Sequence, residues 1–416
     1  MNRNTIISII LGLILIGAIG GYFVFYKSGP TAPAPQATVT DPSTLPIGTP
    51  KPVAVTVGAT TTPTQNETTD EVGLKSIRGF YQLTNKAIAG ATNDIYSSSG
   101  VNNILFAEKA TSHIYRVNPI DRKPNRLTIT TIPRINQVWW GQNKNQPTIL
   151  IYHTDKDGVD QWFNATLKIT STGDGELVGS NLDQNIFSLD ISPDGKNIAY
   201  LKTEGQNIIG TTFNIESGKK MSVFKSAFRD WNISWTSLAT IILNSKPAAS
   251  IPGLALSLNP QTTQTKTALE NISGLTTLMS LDGKKILWSE SAGSANIKLS
   301  VYTEATKKNL GLDLSTLPEK CTWSKDNIHV YCGVPNPLPL SSYPDNWYSG
   351  EISFSDTLWK INTDTGATTV LLNPSLENLD QTVDVYQPFL SADEKYLFLT
   401  NKNDLTLWAL DLGQES

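Results

Sequence analysis

Residues that carry chemistry are scarce in this chain: its 416 residues include two cysteines, three methionines and three histidines. His113, His153 and His329 stand far apart, without cysteine or carboxylate neighbours at the spacing a zinc ion needs, so neither a metal nor a cofactor is expected. A Gly-x-Ser-x-Gly nucleophile elbow is missing too, which leaves no contiguous catalytic motif. Positive charge is not in excess. The 33 Lys and Arg face 37 Asp and Glu, a net charge of −4, and such a balance does not supply the basic face that a nucleic-acid backbone requires.

Long hydrophobic runs are also absent, with one exception. Residues 6–26 carry no charge, and Arg3 and Lys27 bracket them. At 1.5 Å per residue such a helix crosses a hydrocarbon core of about 30 Å. The apolar run continues through Gly20, Gly21, Tyr22, Phe23 and Val24, where a cleaved signal would close with small residues, so an uncleaved single-pass anchor over 1–27 is expected. Arg3 and Lys27 nearly balance, so the flanking charges do not set its orientation. Residues 28–72 then turn to Pro, Thr, Ala and Val, as in Ala32-Pro33-Ala34-Pro35, and have too few large apolar side chains to build a core. They read as a semi-rigid spacer.

From residue 73 to the end, short runs rich in Ile, Val, Leu, Tyr and Trp alternate with turn residues, and helical periodicity is lacking. A repeat organises them. Ser192-Pro193-Asp194-Gly195-Lys196 precedes one apolar run, and Ser280-Leu281-Asp282-Gly283-Lys284 precedes another. With Thr236 and Ser324 the starting positions fall 44 residues apart, and Glu216, Pro260 and Glu304 mark a second landmark in the same phase. Ser391 begins a further copy, displaced by an insertion over 334–356 that is most evident at 334–354. A period in this range, with four strand-like runs in each copy, predicts an all-β propeller of about seven four-stranded blades.

The Ser-Pro-Asp-Gly-Lys turn followed by an apolar strand resembles the WD40-like repeats of TolB-type bacterial propellers. That resemblance implies the fold over about 74–412. The Gly-His and Trp-Asp signature of eukaryotic WD40 repeats is not present, and anchor and spacer stand where TolB has an α/β domain. A membrane-anchored subgroup of bacterial propellers is resembled more closely, through Ala89-Gly90-Ala91, Cys321-Thr322-Trp323-Ser324 and Tyr343-Pro344-Asp345-Asn346-Trp347-Tyr348.

Cys321 and Cys332 lie symmetrically about the turn at 325–328, so their side chains face each other across a hairpin. A disulfide fits that geometry, as do two small buried thiols. A bridge would place the domain outside the cytoplasm. The insertion joins the second and third strands of its blade and so emerges on the face that carries the loops between blades. Its Tyr343, Asp345, Asn346, Trp347, Tyr348 and Glu351 suit a sugar face or an extended peptide, or else fold over a neighbouring blade and plug the channel. The run 155–160 holds three Asp around Gly158 and reads as a hairpin turn in preference to a calcium loop. Residues 75–83 have no blade of their own and are expected to pair with 405–410 as the outermost strand of the last one. Function is expected to be binding or scaffolding of an envelope protein or glycan. The alternative is a glycan-active hydrolase or lyase, with carboxylates converging at the channel mouth.

Overall fold

In the computed structural model, residues 74–96, 102–141, 148–170, 174–291 and 296–413 are described. The anchor and spacer assigned from the sequence lie outside them. Among the described residues no helix is long and apolar enough to cross a membrane. The described chain forms seven antiparallel sheets, six of four strands and one of five, each a blade of a closed propeller.

Why these segments become blades is visible in their burial. Second strands such as Ile104–Glu108 and Tyr396–Asn401 are buried almost throughout, because a neighbouring sheet covers each of their faces. Fourth strands such as Lys220–Ser226 are mostly exposed. The core is therefore a ring of layers between blades. In one layer Leu150 and Trp162 of the second blade meet Ile198 and Tyr200 of the third.

The repeated turn links first and second strands, and its chemistry explains its sequence. The hydroxyls of Ser192, Ser280 and Ser391 donate to Asp194, Asp282 and Asp393, and each accepts the backbone N–H five residues on. The fourth turn residue lies at positive φ in Gly195, Gly283, Asn327 and Glu394, a region open to glycine and costly for other residues. The blade beginning at Trp231 departs from the pattern, since Ser237 pairs with Thr240 in a tighter turn. Ala89-Gly90-Ala91 has a different origin. A Cβ on Gly90 would lie 2.5 Å from the Val138 carbonyl oxygen of the next blade.

Phe80–Gln82 pairs with Thr406–Asp411, placing Phe80 opposite Leu410 and Gln82 opposite Trp408. The ring is thus closed by both ends of the described chain. The segment expected as one strand is a hairpin: it bends at Gly79, where φ is 62°, and Ser76–Ile77 adds a fifth strand. Within the sixth blade Cys321 and Cys332 occupy paired positions, 4.1 Å apart at Cα, and are joined by a disulfide. The run 155–160 is the turn between the second blade's middle strands, where Asp155 Oδ1 accepts the N–H groups of Asp157 and Val159.

Candidate functional site

The insertion leaves the strand His329–Pro335 and returns at Asp356–Asn362. At its centre is one helical turn, α1 (Asp345–Tyr348). Tyr343, Trp347 and Phe354 are each 1 % exposed and form a small core with Ile297 of the fifth blade and Leu317. The indoles and phenyl rings therefore turn inward, and the outward surface is left to other residues.

Beneath this core lies a buried charge cluster. Lys320 follows Pro318 and Glu319 in the link between the fifth and sixth blades and is 0 % exposed. Its Nζ is 2.7 Å from Asp356 Oδ2 and 2.5 Å from Asp384 Oδ1, donates to the Val385 carbonyl at 3.0 Å, and lies under the rings of Trp347 and Phe354 at 4.9 and 4.8 Å. Trp347 Nε1 donates to both oxygens of Asp384, at 3.1 and 3.0 Å, and the Phe354 N–H donates to Oδ2. Val385 donates its N–H to Asp356 Oδ2. From the last blade, Lys402 donates to the Trp347 carbonyl at 2.8 Å. Three segments distant in sequence thus hold the insertion down.

The electrostatics follow from that burial. Loss of water pushes the Asp356 carboxyl up to about 6, with Lys320 opposing the shift and Asp384 adding to it. Burial likewise raises Glu319, against the hydrogen bond it accepts from Tyr348, and the Tyr348 hydroxyl is raised well above the usual tyrosine value by burial and by Glu319. Asp356 and Asp384 both engage one ammonium, and neither carboxylate is open to a ligand in this arrangement.

The residues singled out in the sequence separate into three groups. Tyr343 and Trp347 are interior. Asp345 Oδ2 accepts the Ala249 N–H from the fourth blade at 2.7 Å, and Asn346 donates to Ser341 at 2.9 Å. Tyr348, 45 % exposed, and Glu351 face outward. Lys320, Asp356 and Asp384 carried no sequence signal, because their relation exists only once the blades have closed. Among the described residues no group of three His, Cys, Asp or Glu is placed to hold a metal ion.

Comparison with protein-family models and with curated sequences found no match. Among solved structures the chain is similar to an oligogalacturonate lyase from Vibrio parahaemolyticus, at a TM-score of 0.55 and 11 % identity, over 80 % of this chain and 93 % of that one. An oligogalacturonate lyase in complex with manganese gives a TM-score of 0.55 and 11 % identity, over 82 % and 96 %. TolB from Acinetobacter baumannii is similar at 0.40 and 13 %, over 77 % and 79 %. At these identities what is shared is the architecture, a seven-bladed all-β propeller.

Proposed function

We propose that this chain is a non-catalytic binding platform. A propeller held outside the cytoplasm by the anchor at 6–26 and the spacer at 28–72 presents its insertion-bearing face to an envelope protein. The observation that carries this reading is the inward packing of the insertion: its aromatic rings are buried against the blades, and the carboxylates below them are buried with Lys320. What remains outward in the insertion includes Leu340, 86 % exposed, together with Tyr348 and Glu351. Exposed apolar side chains on a rigid, polar-rimmed loop suit protein contact. The disulfide supports the extracytoplasmic placement, since such bonds persist in oxidising compartments.

The test is capture of partners by the tagged full-length chain from solubilised envelopes, with and without Leu340→Asp. This variant is expected to lose the captured protein while its unfolding temperature stays within about 2 °C, since Leu340 is 86 % exposed. Equal capture by the two forms would overturn this reading.

A further inference from the structure

We propose that the wedge between the sixth and seventh blades is a second docking groove, on the rim of the propeller, for an extended peptide segment of a partner that pairs acidic with large apolar side chains. Sheets that radiate from one axis diverge outward, so the gap between outer strands closes only where large side chains fill it. Here Ala367 and Thr369 stand in the gap, and a cavity of about 480 Å³ remains. That volume lies within the range of ligand sites, roughly 300 to 1,000 Å³.

Its lining has two chemistries. Leu410 and Leu412 of the seventh blade form an apolar floor with Leu372, and Val370 is 50 % exposed beside them. Around this floor stand Arg78 and Lys360, and neither has a carboxylate partner among the described residues. His329 also lines the groove, with its Nδ1 turned to Asp326 at 2.6 Å, and Asp411 is the one acid in the lining. Lys360 Nζ also lies 5.8 Å from the centre of the Tyr331 ring; two cations without a carboxylate partner, over leucines, favour an occupant that carries carboxylates next to apolar side chains.

An extended peptide fits better than a compact ligand because both walls end in strand edges. Thr368–Leu372 is the outermost strand of its sheet and Ser76–Ile77 of the other, so each leaves backbone groups on its outer side without a strand partner. This groove lies apart from the insertion, whose exposed residues do not contribute to it.

Fluorescence anisotropy with dye-labelled Ac-Leu-Asp-Phe-Glu-Leu-NH2 and Ac-Leu-Lys-Phe-Lys-Leu-NH2 on the full-length chain tests the proposal. The acidic peptide is expected to saturate and the basic one not to. Replacing both cations, as Arg78→Gln with Lys360→Gln, is expected to weaken the acidic peptide about tenfold, as two exposed charge pairs would. The pair Arg78→Glu with Lys360→Glu reverses the preference. Leu340→Asp leaves it unchanged, which separates this groove from the platform. Equal binding of the two peptides, binding of neither, or an unreversed preference in the glutamate pair would overturn the proposal.

Discussion

Replacing Lys320 with methionine is expected to destabilise the propeller by about 3 to 5 kcal/mol at neutral pH, the cost of leaving a buried charge without its partner. Methionine keeps the apolar stem and removes the ammonium, so Asp356 and Asp384 face each other at full burial with nothing between them. The pH dependence has a definite sign. Asp356 already titrates near 6 with Lys320 opposing its rise, so without Lys320 it titrates higher still, far above the value of an unfolded chain. A carboxyl whose folded value is raised burdens the fold increasingly as pH climbs from the unfolded value, about 4, to the folded one, and the burden fades as pH falls back towards the unfolded value. The defect should therefore be largest at pH 7 and shrink by pH 5. Denaturant unfolding at the two pH values checks this; a loss below about 1 kcal/mol, or one independent of pH, would show the cluster not to matter.

A similarly large effect is expected at the closure of the ring. Phe80 and Trp408 are both fully buried, with ring centroids 4.8 Å apart, and Leu83 and Ile88 donate their N–H groups to Leu407 and Leu405. Phe80→Ala removes a buried ring from a site that cannot collapse, at a cost of about 3 to 5 kcal/mol. Deleting 74–83 goes further, since it takes the backbone bonds of Phe80–Gln82 as well and exposes the edge of Thr406–Asp411. In thermal unfolding the deletion should fall below Phe80→Ala, and both well below the parent. A deletion that unfolds with the parent would mean that the ends do not hold the ring.

What was legible in the sequence was local. A serine hydroxyl, an aspartate and, at 195, 283 and 327, a glycine or asparagine at positive φ act within one turn, so the turns announce themselves at 192, 280 and 324, and at 391 through the serine and aspartate alone. The closing strand could be read by counting, because the last blade had three strands and 75–83 had none to join. Its bend at Gly79 was not read, since a single glycine within a strand pattern does not by itself indicate a hairpin. The insertion was visible as composition, but the direction its rings face was not. Trp347 is interior because Asp384 accepts its indole N–H and Lys320 lies beneath it, and those partners come from distant parts of the sequence. Aromatic residues in a loop look alike in sequence whether they meet a ligand or one another.

The inward packing of the insertion is tested most directly by hydrogen exchange over 343–354 in the full-length chain. Trp347 and Tyr348 donate their amides to the Pro344 carbonyl, and Phe354 donates to Asp384 beneath the cap. These amides are expected to exchange nearly as slowly as those of the inner strands, because opening them requires lifting the buried rings. Exchange at the rate of an exposed loop would contradict a fixed, inwardly packed insertion, and with it the platform that the insertion presents.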